Sequence, residues 1–178
     1  LDSLIRTFAW AGTLGISSPL VLSMFPDMAD PTRYSIYAWQ DGLGLPDREY
    51  YLEQDSKFAD IRIAYVKHIE KMFALAHFHL KNSDAKTILD LETRLAENHL
   101  RKEETRDMTK MYNPQTRVEL TALSKTILWN TLLEESGIPD LEILIVGQPT
   151  YVTALDSILN ETPLSDWKLW LRWAVLNK

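Results

Sequence analysis

The chain of 178 residues contains no cysteine. This absence excludes disulfide frameworks, thiolate metal sites and any thiol nucleophile. It is compatible with the cytoplasm or a periplasm, and it argues against a secreted eukaryotic origin. A metal site in this chain would therefore depend on histidine and carboxylate side chains alone.

Several other features are also missing. No apolar run approaches the roughly 20 residues that a transmembrane helix needs, so we expect no membrane span in this chain. The formal net charge is -6 and no basic stripe is present, which argues against nucleic acid as a partner. No Gly-x-Ser-x-Gly motif is present, and Gly42-x-Gly44 lacks the third glycine of a dinucleotide-binding loop. The sequence thus offers neither a recognisable nucleophile nor a phosphate-binding loop.

The histidines do not have the spacing of a metal site. His77 and His79 are two positions apart, which places them on nearly opposite sides of a helix. His68 and His77 are nine positions apart, whereas two ligands on one helix are usually four apart. We expect these three histidines and His99 to be ordinary, partly exposed side chains. We also expect that this chain binds no metal.

What is present is typical of a globular, mainly α protein. Hydrophobic residues make up 46% of the chain and charged residues 25%. We find no internal repeat, low-complexity tract or linker, so residues 1–178 are predicted to form a single domain. Both ends resemble the interior of helices, which suggests that the chain belongs to something longer. The predicted fold is a multi-helix domain with a small antiparallel β-hairpin near the N-terminus.

The hydrophobic periodicity places these elements along the chain. Two short β-rich runs, Pro19–Phe25 and Arg33–Trp39, predict the hairpin. Apolar residues at helical spacing predict the main helices, and another strand-like run stands alone near the C-terminal third. The helices are expected at residues 1–15, 58–79 with a cap at Asp55 or Ser56, 83–104, 116–123, 129–136, 150–160 and from Thr162-Pro163 onwards, and the further strand at 141–146.

Acidic side chains are abundant, and we interpret them as surface charge. Catalysis by a carboxylate pair needs two carboxyl groups in one cleft with separated pKa values. Here the carboxylates alternate with Lys and Arg on faces predicted to be solvated. On the helix that begins near Ser83, Glu92 and Glu97 are expected on the outer face. The same interpretation holds for the pairs Glu103 with Glu104 and Glu134 with Glu135.

The stretch Gly42–Leu52 is the most distinctive in the chain. Two glycines alternate with leucines, so the backbone can turn while apolar side chains anchor it. Pro46 restricts the backbone that follows the glycines. Asp47 can then cap a short helical turn that places Tyr50 and Tyr51 side by side. The stretch is too apolar for a solvated linker and too rich in glycine for a regular element.

Several motifs, taken in order, resemble the neprilysin and endothelin-converting-enzyme family of zinc metalloendopeptidases. Together they span about three quarters of the chain, and the first and last are the most specific. They are Gly42–Leu52, then Glu92 with Leu95 and Ala96, Arg106-Asp107, Lys110-Met111-Tyr112-Asn113-Pro114, Val146-Gly147-Gln148-Pro149 and Thr162–Trp173. The missing cysteines make the chain look like a bacterial member of this family.

The resemblance implies a place in a larger enzyme. Such enzymes have two mainly helical lobes around an internal chamber; one carries the zinc motif His-Glu-x-x-His, and the other covers the chamber and limits substrates to peptides. This chain lacks that motif and resembles the covering lobe. No zinc or catalytic position of the family falls on a residue here, so no residue is assigned as catalytic, cofactor-binding or metal-binding. The implied partners are the catalytic lobe of the same polypeptide and the peptide substrate.

Two interpretations of function remain open. The first is a fragment, inactive alone, of a peptide-hydrolysing enzyme that holds zinc elsewhere; its expected location is a bacterial periplasm or the exterior, with the cytoplasm also open. The second is a stand-alone helical module that binds peptides or proteins without catalysis. The C-terminal helix distinguishes them, because Trp167 and Trp170 share a face that we expect to be buried against another domain.

Overall fold

The computed structural model describes residues 1–178 and confirms the mainly α fold. No helix in it is both long and apolar enough to cross a membrane. Eight α-helices and one four-stranded sheet make up the chain. In order they are α1 Asp2–Thr13, β1 Leu20–Pro26, β2 Tyr34–Gln40, α2 Glu49–Leu52, α3 Ser56–Leu75, α4 Asp84–Asn98, a 3-10 turn Glu104–Arg106, β3 Asn113–Thr116, α5 Arg117–Leu123, α6 Trp129–Glu135, β4 Ile143–Val146, α7 Pro149–Glu161 and α8 Leu164–Leu176.

The predicted β-hairpin is part of a larger mixed sheet. Strands β1 and β2 pair antiparallel, as expected, over the full length of both. Strand β4, the predicted strand-like run, pairs parallel to β2, and β3 pairs antiparallel to β4. The sheet order is therefore β1-β2-β4-β3. Strand β3 was not predicted, because Asn113 and Pro114 are poor strand formers and the strand depends on its pairing with β4.

Three helices end in the same hydrogen-bonded motif. After α1, α3 and α6, a residue with positive φ donates its N–H back into the last turn, as in a Schellman motif. Gly15 and Gly137 supply this conformation for α1 and α6, with φ of 66° and 77°. For α3 the residue is His77, with φ of 58°, and its N–H reaches the carbonyl of Ala74 at 3.0 Å. Helix α3 therefore ends at Leu75 and not near His79 as predicted.

Helix α4 lies at the centre of the helical packing. It contacts α2, α3, α7 and α8. Its inward stripe includes Ile88 and Leu95, which are 1% and 0% exposed. Helix α4 ends at Asn98 and not at residue 104 as predicted, and the contacts with four helices leave it with little outer face.

The tryptophans of α8 are buried inside this chain, which corrects the prediction that they pack against another domain. Trp167, Trp170 and Trp173 are between 0% and 1% exposed. Phe8 of α1 packs edge-on against Trp167 with 5.4 Å between ring centroids, and Phe73 of α3 stacks on Trp173 at 6.4 Å. The apolar face of α8 is therefore covered by helices of the same chain.

Candidate functional site

The glycine-rich stretch packs tightly against the centre of the domain. Gly42 has φ of 98°, a conformation that side chains with a Cβ rarely adopt. At Gly44 the reason for glycine is space, because an added Cβ would overlap the Tyr65 hydroxyl and lie 2.9 Å from Cζ of that ring. The predicted turn follows, with the N–H of Glu49 donating to Asp47 Oδ1 at 3.2 Å. The stretch thus brings its backbone onto side chains from α3 and α4.

Glu92 of α4 lies beneath this loop and is 1% exposed. This corrects the prediction that it belongs to a solvated face. Its Oε2 accepts hydrogen bonds from the hydroxyls of Tyr51 at 2.7 Å and Tyr65 at 2.9 Å. The Tyr65 oxygen in turn accepts from the indole N–H of Trp173 at 2.7 Å, and the Tyr51 oxygen accepts from the Leu45 N–H at 2.8 Å. We call these residues (Leu45, Tyr51, Tyr65, Glu92 and Trp173) the Glu92 cluster.

The Glu92 cluster contains a buried carboxylate without a salt-bridge partner. No Lys, Arg or His nitrogen makes a salt bridge to Glu92. Burial therefore dominates and raises the pKa of Glu92 to about 7, while the two tyrosine hydrogen bonds oppose part of this shift. Burial and the nearby Glu92 charge also raise the pKa values of Tyr51 and Tyr65. Only Glu92 in this cluster can exchange a proton near neutral pH.

A cavity of about 290 Å³ adjoins the Glu92 cluster. Its lining includes the segment 42–44, Glu92 and the indoles of Trp170 and Trp173. Ser17 and Lys178 also line the cavity, but the Ser17 hydroxyl donates to Asp41 Oδ2 at 3.3 Å and the Lys178 ammonium donates to the Leu14 carbonyl. No second carboxyl side chain lies in that lining to form an acid–base pair with Glu92. Buried hydrogen bonds of the cluster join the glycine-rich loop to α2, α3, α4 and α8.

The loop after α4 forms a second polar centre. Within this loop, Asp107 and Lys110 form an ion pair with 3.5 Å between their charged atoms. The Tyr112 hydroxyl donates to Asp27 Oδ1 at 2.9 Å. Asp27, in the β1–β2 connection, also accepts from the Ser35 hydroxyl at 2.6 Å, and this bond is the main reason that its pKa falls to about 2. The motif thereby fixes the connection between β1 and β2.

The histidines occupy three separate places, and only His77 and His79 lie near each other. His68 packs edge-on to Trp173 and His99 to Tyr151, with ring centroids 5.7 and 4.9 Å apart. Burial lowers the pKa of His99 to about 4, so this ring is neutral at physiological pH. His77 and His79 line one cavity beyond the end of α3, although a continuous helix would have separated them. No three His, Asp or Glu side chains converge to hold a metal ion, so these residues do not fit a zinc site, and we derive no zinc-dependent step from them.

Comparisons with known proteins identify the family. Residues 1–178 match the model of the N-terminal part of peptidase family M13. Endothelin-converting enzyme 1 of Cavia porcellus is 28% identical over 153 residues, which cover 81% of this chain and 20% of that protein. Endothelin-converting enzyme-like 1 of Homo sapiens is 27% identical over 170 residues, covering 93% of this chain and 22% of that protein.

The fold comparison agrees with the sequence comparison. The zinc metalloprotease Zmp1 of Mycobacterium tuberculosis, in complex with inhibitor, superposes with a TM-score of 0.90 and 30% identity. The match covers 98% of this chain and 27% of Zmp1. The chain therefore belongs to peptidase family M13, as the N-terminal region of such a protein. It spans about a fifth of the length of the curated relatives that it matches.

Proposed function

We propose that this chain forms part of the chamber-covering lobe of a neprilysin-like zinc metalloendopeptidase that hydrolyses peptides. The observation that carries this proposal is the match to Zmp1, a zinc metalloprotease, over nearly the whole chain. In the proposal, zinc and the catalytic residues belong to the part of the enzyme outside these 178 residues. The chain itself contributes a wall that admits short peptides and excludes folded proteins, and its partners are the catalytic lobe and the bound peptide.

The interior of the domain supports a role as a rigid wall. The Glu92 cluster ties the glycine-rich loop to α8 through buried hydrogen bonds, and the α8 indoles fill the space between α1 and α3. Buried hydrogen-bond networks and large buried aromatic rings both restrict local motion. A wall of this kind keeps the size limit of a chamber constant.

The test uses the natural protein that contains this chain. Its activity is measured on two substrates, before and after zinc chelation. One substrate is an internally quenched decapeptide, and the other is a folded protein whose residue composition is similar to that of the decapeptide. We expect zinc-dependent cleavage of the decapeptide and resistance of the folded protein. Cleavage that is absent or independent of zinc would contradict the enzymatic proposal, and equal cleavage of both substrates would contradict the covering role.

A matched pair of variants in the same protein tests the wall directly. Gly44→Ala disturbs the Glu92 cluster, whereas Gly12→Ala adds a methyl group where no atom lies within 4 Å. We expect Gly44→Ala to increase cleavage of the folded protein relative to the decapeptide and Gly12→Ala to leave this ratio unchanged. A natural gene whose reading frame stops at the codon for Lys178 would instead favour the stand-alone binding module.

A further inference from the structure

We propose that the free edge of β1 is a docking site for a short, uncharged, extended peptide. Strand β1 is the outermost strand of the sheet on its side. An edge strand presents backbone N–H and C=O groups that an extended chain can pair with, which is the mode called β-augmentation. This goes beyond the proposed function, because it requires neither a catalytic lobe nor zinc.

The ladder between β1 and β2 determines which backbone groups face outwards. Its two ends are fixed by bonds from the Asp41 N–H to the Pro19 carbonyl at 3.2 Å and from the Asp27 N–H to the Arg33 carbonyl at 2.9 Å. In an antiparallel pair, residues alternate between bonding to the partner strand and pointing away from it. With the observed register, the groups of Leu22 and Met24 point away from β2.

The outward groups of Leu22 and Met24 have no partner within the chain. No other backbone or side-chain group is hydrogen-bonded to them. At the two ends of the strand the edge is already used, since the carbonyl of Leu20 accepts from the Ser18 hydroxyl and that of Pro26 from the Tyr37 hydroxyl. The free edge therefore offers two donors and two acceptors, enough for a segment of about three or four residues.

An apolar cleft adjoins this edge and suits the side chains of an added strand. It has a volume of about 200 Å³ and lies between β1 and the helices α1 and α6. Leu22 and Met24 form one wall, Gly12 contributes to the opposite side, and no charged residue lines the cleft. Side chains of a strand paired with β1 alternate in direction, so every second one would point into the cleft. The uncharged lining favours an apolar, neutral segment.

The size of the edge favours a free peptide over a second copy of the chain. A stable dimer buries about 800 Å² on each partner. Pairing along an edge with four free backbone groups on two residues would bury much less surface than such an interface does. Pro26 lacks an outward N–H and bounds the edge at one end, and the bond from the Ser18 hydroxyl to the Leu20 carbonyl occupies the other end.

The experiment measures peptide binding to the 178-residue chain by NMR. The probe is an acetylated and amidated pentapeptide, Thr-Val-Leu-Val-Thr, titrated while the backbone amides of the chain are observed. We expect the amide signals of Leu22 and Met24 to shift most and their hydrogen exchange to slow by about tenfold or more at saturation. A peptide N-methylated at its central residue loses a donor and should bind at least tenfold more weakly.

Two variants at Met24 distinguish the contribution of its backbone N–H to peptide binding from that of its side chain. Met24→Pro removes an outward N–H without breaking the ladder to β2, and Met24→Ala trims the same side chain but keeps the N–H. We expect Met24→Pro to weaken binding about tenfold relative to Met24→Ala. Unchanged Leu22 and Met24 amides at millimolar peptide would overturn the proposal. A dimer of the chain that Met24→Pro abolishes would also overturn it, because the edge would then pair with a second copy.

Discussion

At the scale of single residues, Gly44 and Glu92 depend on each other. The missing side chain at Gly44 leaves the space that the Tyr65 hydroxyl occupies, and that hydroxyl is bonded to Glu92. The buried carboxylate is in this way enclosed by hydrogen-bond donors and not by a cation. A change at either residue therefore acts on the whole Glu92 cluster.

We predict that Gly44→Ala strongly destabilises the chain. The new methyl group overlaps the Tyr65 hydroxyl, so the ring must move and its bonds to Glu92 and Trp173 are lost. Overpacking and a lost buried hydrogen bond cost about 1–3 kcal/mol each, so we expect a loss of about 2–4 kcal/mol in the free energy of unfolding. Chemical denaturation measures this loss. Gly12→Ala, in an open position of α1, should instead raise the stability by about 0.5–1 kcal/mol.

The pKa of Glu92 predicts a pH-dependent stability. Because burial raises this pKa from 4.5 to about 7, the folded chain keeps a proton that the unfolded chain releases in this range. The free energy of unfolding therefore falls as the pH rises from 4.5 to about 7, by about 3 kcal/mol from this group. Glu92→Gln should remove this slope in urea denaturation across the same pH range.

Glu97→Gln is the control for this measurement, because Glu97 lies on the same helix and is exposed. It should leave the pH dependence as it is in the unaltered chain. A slope that survives in Glu92→Gln would show that another group carries it, and the interpretation of Glu92 would then be wrong.

The misplacement of Glu92 has an identifiable cause. Its charge suggested the outer face of α4, but it lies four positions after Ile88 and four before Ala96, both of them buried. This helical spacing placed Glu92 on the inner stripe, and the hydroxyls of Tyr51 and Tyr65 allow a carboxylate to be there. The helical spacing alone predicts that Glu92 is buried. Its hydroxyl partners could not be predicted from sequence, because they come from distant parts of the chain.

At the scale of the elements, the end of α3 depends on an unusual residue. His77 has the positive φ that glycine supplies after α1 and α6, and it is exposed to solvent. A residue with a Cβ is strained in this conformation. We predict that His77→Gly raises the free energy of unfolding by about 0.5–1 kcal/mol, measured by thermal and urea denaturation.

The reverse substitution at α6 is the matched control. Gly137 has φ of 77°, and no atom lies within 4 Å of the position that a Cβ would take. Gly137→Ala should therefore cost about 1 kcal/mol through backbone strain alone. If His77→Gly were neutral or destabilising while Gly137→Ala had its expected cost, the histidine side chain would have a stabilising contact that offsets the strain.

Local signals identified most elements, and tertiary pairing determined the rest. The hairpin, the β4 run and the start of α3 at its cap Asp55 follow from β-propensity, periodicity and capping. Strand β3 has no such signal, since it exists through its register with β4. The position of β4 beside β2 likewise depends on contacts between distant parts of the chain, which no local pattern encodes.

At the scale of the whole molecule, α8 completes the core. Each of its three buried indoles removes about 150–250 Å² from water, which stabilises the fold by about 4 kcal/mol or more per ring. Their sum, about 12 kcal/mol or more, is comparable with the net stability of an ordinary domain. The C-terminal helix therefore contributes a large share of the buried core of this chain.

We therefore predict that removal of residues 164–178 abolishes cooperative unfolding. The faces of Phe8 and Phe73 that contact α8 would become exposed and should bind the dye ANS. Circular dichroism during heating, together with ANS fluorescence, measures both effects. Removal of the exposed Asn177 and Lys178 alone should preserve a cooperative transition, and a cooperative transition in the longer truncation would contradict the importance of α8.

The parallel pairing of β2 with β4 also has a consequence for synthesis on the ribosome. Tyr37 pairs with Ile145, about a hundred residues later in the chain. At a translation rate of about 5–20 residues per second, the hairpin leaves the ribosome about 5–20 s before its neighbouring strand. During this interval the inner edge of β2 is open to wrong partners, so the nascent chain has a period in which a chaperone that covers strand edges would improve its yield.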